Sequence, residues 1–199
     1  MLGHPYHGGL YFNAARANGM NFWQSTTYTV AGSLMWEFFL ENEYPSINDF
    51  ITTPVGGMAL GEIIFRLSGL LIDNRATGWN RFGREVLSAL ISPMNGLNRI
   101  FSGEAWKVRH KENGFSDGIP VKFYIEIGHR ALAEDSEIKN KIDNAVFLDM
   151  QLLYGNLFSE ENEKPYDAFQ VRTSFNFFSK QPAIGNVNLV GQLWGKTFP

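Results

Sequence analysis

Six side chains in the first third of this 199-residue chain are of the kinds that hold metals or move protons: His4, His7, Glu37, Glu41, Asp49 and Glu62. Imidazole and carboxylate together form a common donor set for metal centres and the usual groups for general acid–base work. Glu37 and Glu41 are one helical turn apart, and so are Glu62 and Arg66, so each pair would share a helix face. A carboxylate inside an oily helix must be paired or protonated. For Glu37 the available partners are Arg16, Arg66, His4 and His7. Two readings follow. In one, the six side chains converge as a metal or acid–base centre. In the other, Arg16, Glu37, Glu62 and Arg66 form a buried polar network that fixes how helices pack, which is the commoner origin of such groups. His4 and His7 lie three apart around Pro5, while His110 and His129 fall in the other half. Without a defined third ligand the expectation is no metal and no cofactor. Asp49 is sufficiently explained as a helix-cap residue.

Other chemistries are poorly represented. There is no cysteine, which excludes disulfides, thiolate catalysis and cysteine-ligated metal. Gly56, Gly57 and Gly61 are not followed by the Lys-Ser/Thr of a phosphate loop, and no nucleophile elbow, zinc-protease helix or dinucleotide fingerprint occurs. A net charge of −3 gives no footprint for nucleic acid. The one basic cluster, Lys107, Arg109, His110 and Lys111, reads as a solvated turn region.

The elements that would position these groups change character partway along the chain. Up to about Ser92 the apolar residues keep helical spacing. A short helix is predicted from Gly8 to Gly19, and a second from a Ser25 or Thr26 cap to about Glu41. The stretch Val30–Leu40 is apolar nearly all round and should be buried on most sides. Ser46 and Asp49 have capping-box spacing for one helical turn. Thr53-Pro54 can then start a third helix reaching Ile72, with Gly57 and Gly61 on one face permitting close helix approach. A fourth helix, Thr77 to Ser92, carries Trp79, Phe82, Val86, Leu87 and Leu90 on its apolar side and ends at Pro93. Residues 94–120, rich in Gly and Asn, read as a connector with a strand around Glu104 to Arg109. No helical membrane span is predicted, because Glu37, Glu62 and Arg66 interrupt the oily stretches.

From Val121 onward the period becomes two. Val121, Phe123, Ile125 and Ile127 alternate with polar neighbours. So do the runs Val146–Tyr154, Phe169–Phe177 and Val187–Trp194, with turn-rich segments at 135–144, 159–165 and 180–186. Runs of about ten residues with amides and paired-sign charges opposite the oil suit a sheet facing lipid on one side and water on the other. Arg172 and Asp149, on the wet faces of two strands, should pair. The fold class expected is α+β: about four helices over 1–93, the connector 94–120, and antiparallel strands over 121–199. Those strands would form part of a β-barrel, seen here as an open, curved sheet. We read the chain as an excerpt of a longer protein.

The first half resembles the domain-of-unknown-function 3943 family. The matching residues are His4-Pro5-Tyr6-His7-Gly8, Tyr11-Phe12-Asn13-Ala14-Ala15-Arg16, Gly32-Ser33-Leu34-Met35-Trp36-Glu37, Pro45-Ser46-Ile47-Asn48-Asp49 and Gly61-Glu62. Arg66-Leu67-Ser68 and Asn98-Arg99 also fit, so the resemblance covers about residues 3–103. It implies an exported protein of a Gram-negative bacterium, with a helical segment joined to an outer-membrane barrel, and carries no established activity. The resulting expectation is a non-catalytic envelope module in the outer membrane. Its helical segment would be packed against or inside the barrel, with outer-membrane lipid and a small hydrophobic ligand as its partners. The alternatives are an enzyme acting on envelope lipid through the His/Glu constellation, and a soluble lipid-binding protein.

Overall fold

The computed structural model describes residues 3–39, 47–109, 119–133, 142–159, 162–178 and 182–194. The chain forms two compact units, Met1–Asp117 and Gly118–Pro199. Among the described residues five helices are followed by a four-stranded antiparallel open sheet, an α+β arrangement. Among the described residues the sheet does not close into a barrel.

In the first unit the helices are α1 (Gly3–Ala17), α2 (Phe22–Phe39), α3 (Ile47–Leu71), α4 (Gly78–Ile91) and α5 (Pro93–Phe101). Gly19 does terminate α1. With φ at +86°, it lets its own N–H reach the Arg16 carbonyl and the Met20 N–H reach the Ala15 carbonyl, the paired bonds of a Schellman stop. The cap of α2 lies earlier than Ser25 or Thr26. Asn21 Oδ1 accepts from the Gln24 N–H at 2.9 Å, and Gln24 Oε1 accepts from the Asn21 N–H at 3.0 Å. This reciprocal box satisfies two N-terminal donors and leaves Ser25 and Thr26 inside the helix. Pro54 is likewise inside α3 and not at its first position, since the turn beginning at Ile47 runs straight on through it. Losing one backbone bond at proline is tolerated where the turns on either side hold their geometry. Ser46 and Glu41 lie outside the described residues, as do His110 and Lys111.

The connector expected over 94–120 contains a fifth helix, and residues 102–106 form turns instead of the strand expected at 104–109. Gly and Asn misled the reading because here they serve packing. A Cβ at Gly96 would meet the Ala89 side chain at 2.4 Å, so α4 and α5 touch where only glycine fits.

The polarity of this unit is inverted. Residues on the buried face of α2 are Ser25, Thr29, Ser33 and Glu37, whereas Trp23, Tyr28, Met35, Phe38 and Phe39 are exposed. On α4, Arg81 and Ser88 are buried, while Trp79 is 86% exposed and Phe82, Val86, Leu87 and Leu90 also face outward. The oily sides of α2 and α4 were expected to be the inner ones, and the structure reverses them. Close helix approach is the reason. Gly8, Gly9, Gly57 and Gly61 let α1 and α3 meet almost backbone to backbone, which leaves the seams filled by close contacts instead of by the oily faces of α2 and α4. Phe12, Ala15, Phe22 and Ile63 supply the small apolar core.

The second unit holds β1 (Val121–Ala133), β2 (Ile142–Tyr154), β3 (Phe169–Phe177) and β4 (Ile184–Gly191), ordered β1-β2-β3-β4. Register sorts the two faces. Val121 pairs with Tyr154, Phe123 with Leu152, Ile125 with Met150 and Ile127 with Leu148. Leu152 pairs with Val171, Leu148 with Phe175, and Val171 with Leu189. Side-chain period two therefore lines all of these on one surface. The opposite surface carries Lys122, Glu126, Gln151, Asp149, Arg172, Ser174 and Asn188. Arg172 Nη2 donates to Asp149 Oδ2 at 2.9 Å there. Gly128 opposes Phe147, whose ring fills the space a Cβ would take and also receives the Arg130 guanidinium at 4.5 Å. The oily surface is open: Ile127 is 77% exposed, and Phe123, Ile125, Val187 and Phe177 are exposed too. Burial is concentrated at one end, where Tyr154 and Phe169 stack at 4.5 Å near buried Tyr166 and Ala168.

Candidate functional site

The best-defined polar site in the helical unit is built on Glu62. Its α3 position is fully buried, at 0% exposure, because Gly61 brings α1 so close that a Cβ there would strike Phe12 at 2.8 Å. Arg16 on α1 donates from Nε to Glu62 Oε2 at 2.8 Å and from Nη2 to Oε1 at 3.1 Å. Arg66, one turn along α3, donates from Nε to Oε1 at 2.8 Å. Arg16 also donates to the Met20 carbonyl at 2.8 Å and lies 4.7 Å above the Phe65 ring. One carboxylate is thus clamped by two guanidinium groups, with fork geometry on the Arg16 side.

Glu37 is buried on α2. His4 places its Nδ1 4.0 Å from Glu37 Oε1, and His7 packs its ring 5.2 Å from that of Trp36. The structure brings Arg16, Glu62 and Arg66 together and places His4 beside Glu37. Glu41 and the side chain of Asp49 lie outside the described residues. Among the described residues no three His, Asp or Glu side chains gather as a metal site would require. The Glu62 carboxylate, engaged by two arginines in a sealed seam, holds helices and has no open approach for a substrate.

Sequence reasoning missed two further polar clusters. The first is a ladder on α5. The Ser92 hydroxyl donates to Asn13 Oδ1 at 3.1 Å, Asn95 Nδ2 donates to Ser68 Oγ at 3.0 Å, and Asn98 Nδ2 donates to the Ala17 carbonyl. Its signal was the spacing of three among Ser92, Asn95 and Asn98, hidden by the loop-like composition. The second surrounds Arg81, buried on α4, whose five N–H groups all donate to carbonyls. Nε reaches Ala105 at 2.7 Å, Nη1 reaches Asn74 and Ala76, and Nη2 reaches Glu104 and Lys107, both at 2.8 Å. Arg99 clamps Glu85 beside it from Nε at 2.9 Å and Nη2 at 2.6 Å. Arg81 therefore ties the 104–107 turn to α4.

Glu104 closes that turn, with Arg109 2.6 Å from its carboxylate and Lys107 at 3.5 Å. Partial burial opposes its ionisation, but the Arg109 and Lys107 cations outweigh this and hold the carboxyl below its ordinary 4.5. A depressed folded value means that this support is complete above the unfolded value and is lost as pH falls through the folded one. Acidification from about pH 5 downward should loosen the turn before the helices melt. Trp106 emission moving ahead of far-UV ellipticity would show it, and coincident transitions would not.

The fold and its sites define an α+β protein with a helical unit closed by arginine–carboxylate clamps and a two-faced sheet. Residues 1–94 match the family model described as "Domain of unknown function (DUF3943)". Searches of curated proteins and of solved structures gave no significant match.

Proposed function

We propose that this protein is a non-catalytic module of a Gram-negative cell envelope, its sheet forming part of an outer-membrane barrel with the oily surface toward lipid. The observation that carries the reading is the oily sheet surface, continuous across four strands and open, backed by a surface of amides and an Arg172–Asp149 pair suited to a wet lumen. Exposed apolar patches beyond a few hundred Å² are rare on monomeric soluble proteins and mark contact with a membrane or partner. The inverted polarity of the helical unit supports the same environment. A plug standing in a wet lumen would present polar side chains, whereas this unit presents Trp79, Phe39 and Leu90. The helical module therefore serves by apolar contact. Catalysis through the His/Glu constellation is disfavoured, because Glu62 is already committed to Arg16 and Arg66.

The absence of cysteine makes single-cysteine scanning of the full chain clean. With the protein in outer-membrane vesicles, Phe123→Cys, Ile125→Cys and Ile127→Cys should resist a water-soluble maleimide. Lys122→Cys, Tyr124→Cys and Glu126→Cys should react. Uniform labelling of both rows, or recovery of the protein in the soluble fraction, would defeat the proposal.

A further inference from the structure

We propose that a cleft in the helical unit, walled by α4, α5 and the 103–108 turn, binds the hydrocarbon chain of a free single-chain amphiphile. The cleft has a volume of about 370 Å³, within the range of roughly 300–1,000 Å³ typical of ligand sites. It is more than twice the ~150 Å³ cavity that takes up benzene, which gives room for one alkyl chain of about ten carbons. Phe82, Val86, Ala89, Ile100, Trp106 and Val108 make the lining mostly apolar.

Charge decides the chemistry of the occupant. Among the described residues the only ionised side chains in the lining are Arg81 and Glu85, and both are saturated. All five Arg81 donors are taken by backbone carbonyls, and both Glu85 oxygens are taken by Arg99. The wall therefore offers no unmatched charge, and an uncharged chain is its complement; an anion or cation entering would lose hydration without gaining a partner. Apolar clefts ordinarily collapse to bury their own walls. This one is held apart because Arg81 fixes the 104–107 turn at a set distance from α4, while contact between Gly96 and Ala89 fixes α4 against α5. These contacts hold the walls apart, so an occupant need not supply the energy of opening the cleft. It does not depend on the sheet meeting lipid.

Trp106 in the lining gives the readout. An alcohol brominated at the far end of a ten-carbon chain, titrated into the full chain held in amphipathic polymer, should quench tryptophan emission saturably. Most of that quenching should vanish in Trp106→Phe. Filling the cleft with Val86→Trp, or independently with Ile100→Trp, should weaken binding about tenfold or more. Leu90→Trp, on the same helix but outside the lining, should leave it unchanged. Non-saturable quenching, equal quenching in all variants, or quenching by brominated phospholipid vesicles but not by the alcohol would overturn the proposal.

Discussion

Replacing Glu62 by leucine should destabilise the helical unit by about 3–5 kcal/mol, because the buried Arg66 and half-buried Arg16 guanidinium groups would lose their shared counter-charge. Arg66 is nearly as buried as Glu62, and Arg16 retains only the Met20 carbonyl and the Phe65 ring as other contacts. Small domains are stable by only about 5–15 kcal/mol, so the loss would be a large fraction of the whole. The triple substitution Arg16→Met, Glu62→Leu, Arg66→Met removes the charges together and should restore most of the stability. Burying ions is expensive, and a well-packed apolar replacement of similar volume is often neutral or better. Urea denaturation followed by helical ellipticity separates the cases. Equal losses in the single and triple variants would mean that the site works through shape and not through charge.

Gly57→Val should be nearly as damaging, at or beyond the upper end of the roughly 1–3 kcal/mol usual for overpacking. A Cβ at Gly57 would lie 2.7 Å from the Gly8 Cα and carbonyl carbon, and one at Gly8 would lie 2.5 Å from the Thr53 carbonyl oxygen. These are backbone atoms of a neighbouring helix and cannot rotate away, so α1 and α3 would have to separate. That separation would lengthen the Arg16–Glu62 bonds, and the two substitutions should therefore be non-additive. Gly83→Ala supplies the control. Nothing lies within 4 Å of the added Cβ on α4, and a helix-interior alanine should raise stability by up to about 1 kcal/mol. Thermal melts of the full chain would rank the three proteins. A Gly57→Val melt matching that of the parent would contradict the close helix contact.

Much of this architecture was legible from period alone. The switch near Val121 correctly divided helices from strands. Period two also sorted the sheet residues, because register pairs Phe123 with Leu152 and Leu152 with Val171, like with like. The glycine spacing on α3 announced a tight helix contact, and Gly19 announced a stop. What period cannot supply is direction. It shows that Trp79, Phe82 and Leu90 share a face of α4, but not that the face looks outward. That choice was made by Arg81, whose carbonyl partners at Glu104, Ala105 and Lys107 lie 23 to 26 positions away. The triad was half legible. Glu62 and Arg66 are neighbours along one helix, but Arg16 reaches Glu62 across 46 positions. Residues 94–101 were obscured for a related reason: asparagine and glycine suggest a loop until a second helix is available for them to bond to and press against.

Among the described residues the sheet is an even-numbered meander, and its pairing places Val121, Tyr154, Phe169 and Gly191 in one row across it. The polypeptide thus comes in and goes out along the same border. Such a block can be duplicated, deleted or spliced between other hairpins without reversing the direction of any neighbouring strand. Growth by whole hairpin pairs keeps sidedness intact, whereas gain or loss of a single strand would turn every later segment upside down.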